Sequence, residues 1–256
     1  MHHSPVGWKS AAPSTTGPSR VAWWKALRFS TLLSLSAAAP HSGYDDASPA
    51  VRAMQDDDGA NPAMLWVAAG RALWDQPAGP AAQSCRTCHG PPESLRGAAS
   101  RHPATLEARI NWSRTTHQAA PALPEEGEAM LSLAALVGLQ SRGLPVAAER
   151  DSAVAAGEAL FTARMGQLNL SCADCHDGLA GGRLGGARIP QGRVNAYPEY
   201  RLEWQGMGGL LRRIRNCMTG VRAEPFPAAS AEMASLRAYL GWRSNGLPVE
   251  TPGVRP

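Results

Sequence analysis

Apolar positions at helical spacing fall into two matched sets along this chain. Leu131, Leu133, Ala134, Ala135 and Val137, with Gly138, predict one helix. Met233, Leu236, Tyr239, Leu240 and Trp242 predict another. Both runs end alike, on Gln140-Ser141-Arg142-Gly143-Leu144-Pro145-Val146 and Arg243-Ser244-Asn245-Gly246-Leu247-Pro248-Val249, where Gly and then Pro stop a helix. Further upstream, Ala69-Gly70-Arg71-Ala72-Leu73-Trp74 resembles Ala156-Gly157-Glu158-Ala159-Leu160-Phe161. Between these landmarks, Leu106 to Thr115 aligns with Leu210 to Thr219, sharing Arg-Ile and Thr and placing Ser113 opposite Cys217. The pattern is an internal duplication. Each half reads as helix, cysteine motif, irregular loop, helix and terminal helix. The expected division is a leader at 1–39, a first domain at 40–146 and a second at 147–256, linked near Ala147 to Ala155. The extra residues of the second half fall in the Gly-rich loop Gly178 to Gly192 and the segment beyond it.

The cysteines give the duplication its chemistry. Four of the five form Ser84-Cys85-Arg86-Thr87-Cys88-His89 and Ser171-Cys172-Ala173-Asp174-Cys175-His176, each 15 residues after its half's Gly70 or Gly157. Two thiols three apart suit a zinc half-site or a redox disulfide as well as haem. The His that follows at once in both copies favours haem. The thiols add to its two vinyl groups, and the next side chain reaches the iron as proximal ligand. The predicted fold is therefore mainly α and loop-rich, with two class I cytochrome c-like domains in tandem, each built around a covalently attached haem c. An aromatic content of only 6% agrees with cores filled partly by porphyrin.

Charge alters the picture less than its total suggests. The net charge of +4 comes from Lys9, Arg20, Lys25 and Arg28, because 21 basic and 21 acidic residues remain from Pro40 onward. A nucleic-acid or anionic-membrane partner is not indicated. Lys25 and Arg28 precede an apolar stretch, Phe29 to Ala39, that ends in small residues and reads as a cleaved export signal, placing the protein in the periplasm. No run approaches the roughly 20 apolar residues of a membrane span.

Cys217 is left over. A buried free thiol is the plainer account of an odd cysteine. Arg212, Arg213, Arg215 and Arg222 lie close in sequence, however, and such a field favours the thiolate that binds metals and attacks sulfur. Cys217 is thus a candidate distal ligand of the second haem and a candidate reactive sulfur. Arg213 precedes it by one helical turn, on the same face, with a guanidinium suited to bidentate capture of an oxyanion.

These residues carry a specific resemblance. Asn61 to Val67, both cysteine motifs, Gln140 to Val146, Gly166 to Cys172, Tyr197 to Gln205, Glu250 to Pro256 and above all Arg212 to Pro225 resemble the SoxA family, the dihaem cytochrome subunit of the Sox sulfur-oxidation system. The resemblance implies an L-cysteine S-thiosulfotransferase that couples thiosulfate oxidatively to a cysteine of the carrier protein SoxYZ. It implies a small monohaem SoxX-like cytochrome partner and an acceptor cytochrome c. It further implies that Cys217 ligates the second haem and carries a persulfide, and that Arg213 binds substrate. Thiosulfate dehydrogenase activity forming tetrathionate, or plain electron transfer, are the alternative activities. The sequence departs from the family pattern at Ser113, where the family has a second ligating cysteine. With that ligand missing, His117, four residues further along the predicted Leu106 to His117 helix, becomes a candidate ligand to the first haem, with Met130 a weaker candidate and an open or water-bound iron the remaining alternative.

Overall fold

The helices expected from the apolar spacing form and pack in two pairs. A computed structural model describes residues 41–256; the expected export signal, Phe29 to Ala39, lies outside the described residues. The helices are α1 (Pro49–Asp56), α2 (Met64–Asp75), α3 (Cys85–His89), α4 (Ala98–Arg101), α5 (Leu106–His117), α6 (Glu128–Leu139), α7 (Ser152–Thr162), α8 (Cys172–His176), α9 (Leu210–Gly220) and α10 (Ala231–Arg243). Five short strands join them: β1 (Arg183–Leu184), β2 (Ala187–Arg188), β3 (Glu199–Arg201), β4 (Gly206–Gly208) and β5 (Gly253–Arg255).

In the first half α2 packs on α6, and in the second α7 packs on α10. The repeated glycines explain how closely. A Cβ on Gly70 would lie 2.2 Å from the Ser132 carbonyl oxygen, and one on Gly157 would lie 2.0 Å from that of Ser235. Either overlap would force the helices apart, so glycine is required at both crossings. Around them Val67, Trp74, Leu133, Leu136 and Val137 form one core, and Val154, Phe161, Ile214, Leu236 and Leu240 form the other. Full burial of each such side chain stabilises by about 1.5–3 kcal/mol. Helix α6 is buried continuously from Met130 to Gly138, because α2, α4, α5 and β4 all pack on it. An apolar run without a polar face requires that cover.

The two exit segments, similar in sequence, pair with each other. Gly143 N–H donates to the Val249 carbonyl at 2.9 Å and Gly246 N–H to that of Val146 at 3.0 Å. Val146 N–H and Val249 N–H reach the carbonyls of Leu247 and Leu144, both at 2.8 Å. The four bonds map onto one another when the halves are exchanged, giving the halves a local two-fold relation.

Charged contacts anchor each half to the other. Arg237 of α10 is buried and donates to Glu107 of α5 at 3.0 Å, to Glu125 at 2.7 Å and to the Ala104 carbonyl at 3.0 Å. In return, the Glu126 carboxylate accepts from the Gly209 and Arg212 backbone N–H groups, both at 2.9 Å, at the start of α9.

Strand β3 pairs antiparallel with β4 and parallel with β5, fastening the C-terminal segment. The second half's Gly-rich insertion forms the exposed β1–β2 hairpin. Among the described residues no helix is long and apolar enough to cross a membrane.

Candidate functional site

Each cysteine motif folds as a single helical turn closed at its N-terminus by a reciprocal cap. At α3, Thr87 N–H donates to Ser84 Oγ at 3.1 Å and Ser84 N–H to Thr87 Oγ1 at 3.3 Å. At α8, Asp174 N–H donates to Ser171 Oγ at 3.0 Å and Ser171 N–H to Asp174 Oδ2 at 2.9 Å. These boxes fix where the turn starts. Both thiols of each motif then lie on one side, with the histidine at the turn's end. No disulfide joins any of the five cysteines.

The first motif opens onto a cavity of about 480 Å³, whose lining includes Leu73, Trp74, Cys85, Cys88, His89 and Ile110. Burial, and then the charge of nearby His117, hold the His89 imidazole below its ordinary pKa, favouring the neutral form that a metal ligand needs. Ser113 Oγ lies 3.5 Å from His89 Nε2, so the helix α5 residue in register with Cys217 faces this histidine. His117 lines the same cavity one turn on; it is exposed and meets Trp112 edge-to-face, with ring centroids 5.2 Å apart.

The second motif is more tightly held. His176 Nδ1 lies 2.8 Å from the Pro190 carbonyl, which fixes the ring with Nε2 left to ligate. Burial lowers the His176 pKa, the Pro190 bond opposes that, and Arg213 and Arg243 lower it further. The Cys172 thiol is pushed up to about 11, first by burial and then by neighbouring Cys217. Tyr197, a half-buried residue, is raised well above its usual value by burial of its hydroxyl and then Glu199, and it feels both Arg213 and Cys217. Cys172, His176, Tyr197, Arg213 and Cys217 thus lie within electrostatic range of one another.

Helix α9 produces this meeting through its amphipathic pattern. Leu210, Leu211, Ile214 and Met218 are buried, which leaves Arg213 and Cys217 half-buried along the flank of that face. The expected cluster of four arginines around Cys217 separates. Arg215 and Arg222 are exposed, and Arg212 stacks over Trp204 with its guanidinium carbon 3.9 Å from the ring centroid. Of the four, Arg213 alone is half-buried, with Glu203 Oε1 3.9 Å from its Nη1. Cation–π contact with Trp204 holds the neighbouring arginine aside.

Four contributors escaped the sequence reading. Glu126 caps α9 from the other half, Pro190 orients His176, Trp204 holds Arg212, and Arg193 carries a buried Nε with no hydrogen-bond partner. Trp204 and Pro190 lay in stretches already singled out, but nothing local marked their roles. Arg193 is informative because a buried guanidinium nitrogen without an acceptor is costly. It sits in the field of Arg243, Asp177 and Tyr239, beside the second motif. A group bringing acidic oxygens, as the propionates of haem do, would satisfy it.

Comparison with known proteins follows the same duplication. The SoxA/TsdA, cytochrome c domain family matches residues 69–146 and 156–249, two stretches that begin at the two repeated Ala-Gly segments. The L-cysteine S-thiosulfotransferase subunit SoxA of Rhodovulum sulfidophilum is 33% identical over 228 residues, spanning 84% of this chain and 79% of that protein. The subunit of the same name from Paracoccus pantotrophus is 32% identical over 228 residues, with the same coverage. A crystal structure of SoxXA from P. pantotrophus superposes with a TM-score of 0.81 at 32% identity, covering 84% of this chain and 87% of that one.

Proposed function

The chain belongs to the SoxA/TsdA cytochrome c domain family, and on that premise we propose that it is a periplasmic dihaem L-cysteine S-thiosulfotransferase subunit. The domains divide at 40–146 and 147–256 after removal of the 1–39 leader. Haem c is held by Cys85, Cys88 and His89 in the first domain and by Cys172, Cys175 and His176 in the second. The cavity at the first motif and the unsatisfied Arg193 Nε at the second both suit that group. When bound, haem supplies a one-electron acceptor within the protein.

The reaction that fits the site joins a carrier cysteine thiol to thiosulfate. A sulfur–sulfur bond forms between the cysteine sulfur and the terminal sulfur of thiosulfate, and one proton and two electrons leave. The electrons pass out to an acceptor cytochrome c. Arg213 grips the sulfonate oxygens with its planar fork. Cys217, one turn further along α9, would ligate the second haem; its thiolate would become a persulfide by taking the outer sulfur of a thiosulfate, with sulfite leaving. Tyr197, its pKa raised, keeps its proton, so its hydroxyl is a donor and places no negative charge beside the anionic substrate. Partners in this reading are a monohaem SoxX-like cytochrome, the SoxYZ carrier and thiosulfate.

The observation that carries the proposal is that Arg213 and Cys217 lie half-buried along one flank of α9, whose Ile214 and Met218 share a core with Cys172, within electrostatic range of the Cys172–His176 turn. The test is mass spectrometry of the carrier peptide after incubation with thiosulfate, acceptor and the purified complex. Wild type is expected to add thiosulfonate, and Cys217→Ala to add none while retaining both haems. Arg213→Lys, which keeps charge and loses the fork, should raise the thiosulfate concentration required. Modification of the carrier by Cys217→Ala at the wild-type rate would defeat the assignment. Tetrathionate made without the carrier would point to dehydrogenase activity instead.

A further inference from the structure

We propose that the first haem site keeps an exchangeable sixth position that takes a small monovalent anion able to donate a lone pair to iron, such as hydrosulfide or cyanide. The inference rests on the reading that haem is attached at Cys85 and Cys88. The duplicated halves place α5 and α9 in corresponding positions, yet the residue in register is a thiol in one and a hydroxyl in the other. Ser113 Oγ is 3.5 Å from His89 Nε2 and so faces the proximal ligand directly. A neutral hydroxyl is a weak donor to haem iron beside the thiolate, imidazole or thioether ligands that proteins ordinarily use.

The surroundings favour occupation from outside. The 480 Å³ cavity is lined by Arg101, Arg109 and Arg114 and by no aspartate or glutamate. Three guanidinium groups exceed the two carboxylates that the propionates of a bound haem would bring, so the lining attracts an anion and disfavours a cation. On the α5 side, where the sixth position would lie, the lining residues Arg109, Trp112 and His117 are exposed, so a small ligand has access from solvent. His117, the one other side chain of α5 with the chemistry to close the position, lies about one turn, roughly 5–6 Å along the axis, beyond Ser113. Its ring is already engaged edge-on with Trp112.

The experiment uses the purified ferric protein. Mass measurement first counts the haems, and electron paramagnetic resonance and absorption spectra then follow a cyanide titration. Two haems are expected, one of them high-spin at the outset and converted to low-spin by one equivalent of bound cyanide. Ser113→Cys should make that haem low-spin beforehand and abolish its response, whereas His117→Ala should leave the response of the native protein unchanged. The proposal is overturned if both native haems are low-spin and silent to cyanide. It is equally overturned if a response arises only in His117→Ala, since His117 is then the resident ligand. A mass short by one haem defeats the attachment reading itself, and the proposal with it, and is distinguished by preceding any spectrum.

Discussion

Removing the Glu126 carboxylate tests whether the first half holds the reactive helix of the second in place. Its two oxygens accept from Gly209 and Arg212 N–H at 2.9 Å each, at the open N-terminus of α9. Gly209, the residue before the helix, has no side chain with which to cap it. Glu126 therefore does from a distance what a serine or aspartate does locally, and its charge also complements the helix dipole. Loss of a local cap costs about 0.5–2 kcal/mol, and hydrogen bonds to a charged acceptor contribute about 1.5–3 kcal/mol. Glu126 is only half-buried, and water replaces part of the loss, so Glu126→Ala should destabilise by about 1–2 kcal/mol. At this chain length each kcal/mol lowers the melting temperature by about 2–4 °C. The damage should be graded along the helix. Arg213 is in the first turn and Cys217 a turn later, so thiosulfate affinity falls while the absorption signature of the second haem stays. Calorimetry and a thiosulfate titration of the holo complex measure the two effects. Glu126→Gln, which keeps an oxygen acceptor but not the charge, should fall between. Unchanged stability and unchanged affinity in Glu126→Ala would refute the reasoning. A full loss of stability with intact affinity would refute its second half.

Two further outcomes follow from buried charge. Arg237→Met leaves Glu107 buried without its cation and should destabilise by about 3–5 kcal/mol in urea unfolding. Arg237→Met with Glu107→Leu should recover most of that loss, because both charges are then gone; no recovery would mean the pair is not what the interface depends on. Arg193→Leu removes a positive charge beside the second motif and should lower that haem's reduction potential, since ferric haem is then relatively favoured. Redox titration checks this, and an unchanged potential would show that Arg193 Nε does not meet the haem.

What could be read from the sequence was what is local. Helix α9, its neighbours α6 and α10, and the two capped cysteine turns announce themselves through spacing of a few residues. The duplication was legible too, down to Gly70 and Gly157, although their reason, a backbone carbonyl about 2 Å from any Cβ, needs the crossing helix. What remained hidden is non-local. Pairing of the two exits joins Leu144 to Val249, more than a hundred positions apart, and nothing in either Gly-Leu-Pro-Val segment names its partner. Strands of two or three residues such as β3 and β5 are too short to show alternation. Proximity in sequence also misled in one place. Arg212, Arg215 and Arg222 look like neighbours of Cys217, but a helix burying Leu210, Leu211, Ile214 and Met218 turns them to solvent.

The duplication sharpens the meaning of Ser113. Both halves fix the distal helix by the same means: an apolar face led by Ile110 or Ile214, packing against its own helix pair, and a charged tie to the opposite half. For α5 that tie is Glu107 to Arg237, and for α9 it is Glu126 to the helix start. Since the scaffold around positions 113 and 217 is matched, the hydroxyl-for-thiol difference is a change of ligand chemistry on a preserved frame and not a sign of structural decay. A frame retained only as a relic would be free to fill its cavity with larger side chains. Here the cavity at the first motif persists, Cys85, Cys88 and His89 still line it, and the side chain opposite His89 is a small one. The first half therefore keeps the residues of a haem attachment motif around a cavity while carrying a hydroxyl where the second half carries a thiol. This is the combination expected of a site that admits a ligand from outside.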